Sequence, residues 1–156
     1  MRAVLALLLF MVVAPATAAD WGHYDNARFG YGLDIPPGFE AEGESDNGDG
    51  QVFSTPTAKL TVFGGNIVEG DFESAVKQSQ MWAGDQGWTI TYQVTTPSKA
   101  SFSGTAGARI LYVRLIALCG GSALGAFQIE YSRADLTAFD PIVTRLVRSL
   151  AANGAC

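Results

Sequence analysis

A nine-residue run, Ile110–Leu118, restricts this chain more than any other part of it. Alternate residues of a strand point to opposite faces, and here both sets are mostly apolar. Ile110, Tyr112, Ile116 and Leu118 form one set; Leu111, Val113, Leu115 and Ala117 form the other. A strand of this kind has to be covered on both sides, which makes it a central strand. Gly120-Gly121 follows as a two-residue turn suited to positive φ, and the chain returns through Phe127, Ile129 and Tyr131, alternating with Ala126, Gln128 and Glu130. The resulting long hairpin needs covering elements from elsewhere.

Two segments can supply them. Phe72, Ala75, Val76, Ser79, Trp82, Ala83 and Gln86 recur at helical spacing, with Asp71 as N-cap and Gly84 and Gly87 as stop signals. Phe139, Ile142, Val143, Leu146, Val147 and Leu150 form a second stripe, with Asp140-Pro141 suited to N-cap and first helical position and Arg145 and Arg148 toward the C-terminal end. Between these helices Trp88, Ile90, Tyr92 and Val94 alternate with polar residues, predicting a strand with one apolar face that runs to Pro97. Nearer the N-terminus, Phe29, Tyr31, Leu33 and Ile35 read as a strand stopped by Pro36-Pro37-Gly38. Phe39–Gly50, acidic and without a basic residue, reads as a solvated edge or loop. Val52–Ser54 and Lys59–Phe63 read as short strands around Thr55-Pro56-Thr57.

The chain opens with Arg2, an uncharged apolar run Ala3–Ala14 and the small-x-small sequence Ala16-Thr17-Ala18, the pattern of a cleavable secretory signal. The expectation is a signal peptide over 1–19 and a single domain over 20–156, periplasmic or secreted, with no stable membrane insertion because the run is too short to span a bilayer. The full chain carries a net charge of −5, more negative by one once Arg2 is removed, which disfavours nucleic acid as a partner. Cys119 and Cys156 are the two cysteines, and an oxidising compartment lets them pair. Such a bridge would contribute roughly 3–4 kcal/mol by loop entropy. Two free thiols or an intermolecular bridge remain the alternatives. The absence of Cys-x-x-Cys argues against a redox catalyst.

The order of elements, together with Phe29-Gly30-Tyr31-Gly32-Leu33-Asp34-Ile35-Pro36, Ser101-Phe102-Ser103-Gly104 before Ile110-Leu111-Tyr112, and Phe139-Asp140-Pro141-Ile142-Val143 through Arg148-Ser149-Leu150, resembles the Mog1/PsbP-like superfamily over nearly the whole mature chain. The resemblance implies an α+β fold in which an antiparallel sheet is sandwiched by helices. It also implies a binding or assembly factor, since members are mostly of that kind, and it supplies no catalytic motif to transfer.

The residues themselves point the same way. His23 is the single histidine, and no Gly-x-Ser-x-Gly elbow accompanies it; Gly120–Gly125 has the wrong spacing. Ser45-Asp46-Asn47-Gly48-Asp49-Gly50 resembles the start of a calcium loop but lacks the closing Glu near Pro56, so neither a metal nor any other cofactor is expected. Glu40, Glu42 and Glu44 are expected to line one side of an edge strand and to meet a basic partner. Trp21 and Tyr24 are either an exposed docking pair or core. Arg109 lies diagonally across from Glu130 if the turn is the two-residue one, which predicts an ion pair. Arg114 has no such partner and is either a snorkelling side chain or an anion site. The function this supports is a non-catalytic protein-binding, assembly or chaperone-like module of the bacterial envelope with an envelope protein as partner. A small-ligand or lipid-component binder is the alternative, which a distinct apolar pocket near Trp82 or Trp88 would favour.

Overall fold

The computed structural model describes residues 20–154. The expected signal peptide over 1–19 and Cys156 lie outside these residues. In chain order the elements are β1 (Gly22–Asn26), β2 (Tyr31–Ile35), β3 (Glu40–Glu44), β4 (Gly50–Ser54), β5 (Lys59–Asn66), α1 (Phe72–Asp85), β6 (Thr89–Thr95), β7 (Lys99–Ala106), β8 (Arg109–Leu118), β9 (Ala123–Ser132), α2 (Leu136–Ser149) and β10 (Ala151–Ala152). Seven strands form one antiparallel sheet in the order β3-β4-β5-β9-β8-β7-β6, and β1-β2-β10 form a second, smaller one. The fold is α+β, as expected. Among the described residues no helix is long and apolar enough to cross a membrane.

The double-sided pattern of Ile110–Leu118 is realised on the α1 side and in part on the other, where Ile116 and Leu118 are buried but Ile110 and Tyr112 are only half-buried. Leu111, Val113 and Leu115 face α1 and pack with Phe72, Val76 and Phe102. Ile116 and Leu118 belong to the opposite cluster, with Tyr31, Leu33, Leu60, Phe127, Ile129 and Leu146. That second face is covered by α2 and the small sheet together, so the covering layer is only partly helical. Trp21–Arg28, which carries no strong strand signal, supplies β1 because its residues pair with β2 from Gly22↔Ile35 to Asn26↔Tyr31. Tyr31 seats the small sheet on the large one. Its ring lies over Gly64 and Gly125, which face each other across β5 and β9, and a Cβ at Gly125 would stand 3.0 Å from that ring.

Three local expectations need correction. The β8–β9 connection keeps the register of a two-residue turn, Leu118↔Ala123, but Cys119–Gly121 tighten into a 3₁₀ turn whose carbonyl at Cys119 accepts from Ser122 Oγ at 2.9 Å. Helix α2 starts at Leu136, so Pro141 lies inside it and not at its first position. The early turn is held because Phe139 stacks on Tyr131 with ring centroids 4.3 Å apart. Most consequentially, β6 has no single apolar face. A bulge between Ile90 and Tyr92 shifts its pairing with β7 by one residue. Ile90 therefore shares the α1 side with Gly104, while Tyr92 and Val94 share the other side with Ser103 and Ser101.

Candidate functional site

Helix α2 packs on β2 and β9 and leaves the β6–β8 part of the same sheet face uncovered. Between them runs a groove of about 490 Å³. Its floor is Ser103, Thr105, Ile110 and Tyr112, and its wall is Leu136, Val143 and Val147, with Asp140 and Arg148 among the lining residues. The wall is apolar because α2 is amphipathic. Beside it, Tyr92 and Val94 stand 52% and 45% exposed, brought to this side by the bulge, and Leu136 is 44% exposed. Tyr131 lies at the inner end, where burial, with Asp140 and Tyr112 nearby, pushes its phenol up and keeps it protonated. Among the described residues no hydroxyl of this groove hydrogen-bonds to a basic side chain, the link that would activate a nucleophile.

Arg114 lies two residues along β8 from Tyr112, on the same side of the sheet. Its Nη1 donates to Ser101 Oγ at 3.0 Å, while its Nε is buried with no hydrogen-bond partner among the described residues. Ser101 is itself only 2% exposed. No carboxylate among the described residues pairs with this guanidinium. By contrast Arg109 meets Glu130 at 3.5 Å, the diagonal pair the register predicts.

The other candidates are dispersed. Tyr24 is core: it is 8% exposed, edge-on to Phe53 and Tyr31, and its hydroxyl accepts from Asn26 Nδ2 at 3.0 Å and donates to Glu44 at 3.3 Å. Trp21 is half-buried under the Arg145 guanidinium, 4.3 Å from the ring centroid. An exposed Trp21–Tyr24 pair is therefore not formed. Glu40, Glu42 and Glu44 do lie on an exposed edge strand, β3. They do not line one side, because a bulge between Ala41 and Glu44 puts Glu40 opposite Ser54 and Glu44 opposite Gln51, on alternate faces. Asp49 turns inward on its own loop, accepting from Ser45 Oγ at 2.7 Å and Asn47 Nδ2 at 2.8 Å.

His23 lies in a charged array that joins the small sheet to α2. Its Nδ1 is 3.1 Å from Asp34 and its Nε2 is 3.3 Å from Asp25, while Arg145 Nε donates to Asp34 at 2.8 Å. Partial burial acts to raise the Asp34 pKa, but hydrogen bonds from Arg145 and His23, with their charges, outweigh it and hold the carboxyl below its ordinary range. Ser149 Oγ accepts from Asp34 N–H at 3.0 Å and donates to the Leu146 carbonyl, so its hydroxyl is engaged with backbone. Near Trp82 and Trp88 there is a cavity of about 70 Å³, far below the size of ordinary ligand pockets.

Sequence reasoning reached Arg114, but it placed Tyr92 and Val94 on the apolar face of a strand, took Asp140 as an N-cap and did not name Leu136. Arg148 was read only as a helix-end cation. One available signal was that β6, TITYQVT, carries no charge at all although it ends a sheet.

No family model and no curated protein sequence matches the chain. Its structure is similar to the Ran-binding protein Mog1p of Saccharomyces cerevisiae, with a TM-score of 0.62 at 11% identity over 86% of this chain and 96% of that one. It is also similar to cyanobacterial PsbP (CyanoP) of Synechocystis sp. PCC 6803, with 0.61 at 10% identity over 91% and 98%. LpqN of Mycobacterium tuberculosis, described as involved in cell envelope biogenesis, gives 0.51 at 11% identity over 86% and 91%. The chain has the Mog1/PsbP-like fold.

Proposed function

We propose that this protein is an exported, non-catalytic protein-binding or assembly module of the cell envelope, and that the open β6–β8 face beside α2 is its docking surface. The observation that carries the reading is the half-covered sheet face, where Leu136 stands exposed in the groove and Tyr92 and Val94 stand exposed on the β6 edge, whose register with Ser103 and Ser101 places them on the same side of the sheet. A large apolar side chain held out on a rigid strand is a common interface anchor. The similarity to a protein named as Ran-binding and to one named for envelope biogenesis agrees with a partner-binding role. Export rests on the sequence pattern of residues 1–19. A small-ligand role is the second reading, favoured by a groove volume of about 490 Å³, within the usual range for ligand sites.

The test is in-cell photo-crosslinking of the exported protein with the reactive residue at Tyr92 or at Gln78 on the exposed surface of α1. A discrete adduct from position 92 that Val94→Lys abolishes and position 78 never gives is the expected result. Equal labelling at both positions, or none at 92, refutes the docking face. In the latter case, a compound co-purifying with the protein and displaced by the same substitution would favour the ligand reading.

A further inference from the structure

We propose that the free edge of β6 receives an extended acidic segment of a partner protein as an added strand, favoured by the cations that flank this edge. The proposal rests on reading this face as a docking surface and names the chemistry of its occupant.

The two ends of the seven-stranded sheet are built differently. A sheet edge exposes unpaired backbone donors and acceptors, and proteins usually guard it with charge, proline or a bulge. Edge β3 has three glutamates in five residues and a bulge. Edge β6 spans seven residues, pairs only with β7 and contains neither charge nor proline. Its bulge does not mask it; it turns Tyr92 and Val94 outward on the groove side, where alternate side chains of an added strand would pack against them.

Charge decides what kind of strand fits. Lys99 opens β7 beside the end of β6, Arg114 lies one strand further in on β8 and reaches toward the edge through Ser101, and Arg148 lines the groove; none has an ion pair among the described residues. Lys77 approaches β6 from α1. The acidic groups here are Glu73 on α1 and Asp140 in the groove. The β3 end holds Glu40, Glu42, Glu44, Asp46 and Asp49, with Arg28 donating to the Asn47 carbonyl. A guanidinium that is half-buried and lacks a carboxylate gains more from an incoming anion than a fully hydrated one does. An acidic strand is thus favoured at β6 and repelled at β3, which selects the edge as well as the partner.

The probe is a pair of capped seven-residue peptides, Val-Glu-Val-Thr-Val-Glu-Val and its Gln-for-Glu counterpart, titrated into the isotope-labelled protein and followed by NMR. The acidic peptide should shift the backbone amides of Thr89–Thr95 and the Arg114 Nε–H signal. Binding should weaken about tenfold with the Gln peptide and in an Arg114→Met, Lys99→Gln variant, and should fall as salt rises. If both peptides bind β6 equally, the acidic specificity is wrong while the docking face stands. If neither perturbs β6, the docking face falls with it. Concentration-dependent self-association lost on Val94→Lys would make a second copy the occupant, through its own acidic β3, and would overturn the partner assignment.

Discussion

Tyr24 separates a core role from a docking role, and its substitutions should order by what each removes. Tyr24→Phe keeps the ring against Phe53 and Tyr31, at centroid distances of 5.7 and 6.4 Å, and deletes only the hydroxyl. Two hydrogen bonds are lost: Asn26 Nδ2 loses one acceptor but retains the Gly48 carbonyl at 3.0 Å, and the exposed Glu44 carboxylate exchanges its 3.3 Å bond for water, so the net cost is about 1 kcal/mol. Asn26→Ala is worse. Asn26 is 1% exposed and also accepts from Phe29 N–H at 2.9 Å; its loss strands that donor and should cost about 2–3 kcal/mol. Tyr24→Ala strips the ring from the core and should cost about 3–5 kcal/mol. Urea denaturation of the three variants and the double Tyr24→Phe, Asn26→Ala variant measures these costs, with an unchanged denaturant slope as the control. The cycle should return a coupling of about 0.5–1 kcal/mol. A Tyr24→Ala variant that loses under 1 kcal/mol would refute the packing of β1 described above and return Tyr24 to the surface.

Other parts of the fold make their own commitments. Gly125→Val places a branched side chain against the Tyr31 ring and should destabilise by about 1–3 kcal/mol, whereas the same change at Gly84, inside α1 and with nothing within 4 Å of a Cβ, should be neutral or stabilise by a few tenths of a kcal/mol, since Val has the better helix propensity; thermal melts compare the two. Asp34 has a lowered pKa in the folded state, so its contribution is present above the unfolded carboxylate value of about 3.9 and is lost as pH falls through the folded value. Arg145→Ala should therefore cost about 0.5–1 kcal/mol at neutral pH and less at pH ~3; a constant cost at both pH values would assign it to packing on Trp21 instead. For Cys119 and Cys156 the expectation is a bridge in the exported protein, seen as no alkylatable thiol before reduction and a loss of roughly 3–4 kcal/mol after it.

What could be read in advance depended on whether the signal was carried by a run of residues or by one. The central, two-sided character of β8 was legible because eight of the nine positions from Ile110 to Leu118 are apolar, Arg114 being the exception. The Arg109–Glu130 pair was legible because a turn fixes register over the whole hairpin. Both errors of facing have one cause. Alternation assumes an unbroken count of two, and a single extra residue in β3 or β6 reverses every position beyond it. Thr91 has no side-chain feature that marks it as a bulge. Its hydroxyl donates to the Ser103 carbonyl at 3.5 Å, a contact that only exists once the strands are paired. Strand β1, within Trp21–Arg28, was not legible for a related reason. Two of the five residues of β1 are buried, and one of these is Asn26, so hydropathy gives the strand no face.

The open face follows from where α2 is fastened. Three contacts pull that helix toward the small sheet: Arg145 to Asp34 at 2.8 Å, Asp34 N–H to Ser149 Oγ at 3.0 Å, and the Phe139 ring stacked on Tyr131. Leu146, fully buried, sits in the core cluster that α2 shares with Tyr31, Leu33 and Ile129. A helix of 14 residues placed there covers β9 and β2 and cannot also cover β6. On this view the His23–Asp34–Arg145 array, the part of the molecule whose side chains most resemble a catalytic site, is an anchor that determines the shape of the face opposite it. The consequence is directional. Arg145→Ala should loosen the C-terminal half of α2, and with it the groove wall at Val143 and Val147, while leaving the β6 edge itself unchanged. Hydrogen exchange resolved by residue would find faster exchange in the last turns of α2 and unaltered protection in the β6–β7 pair. Equal acceleration in both would mean that the helix and the edge open together, and that the face is not set by its anchor.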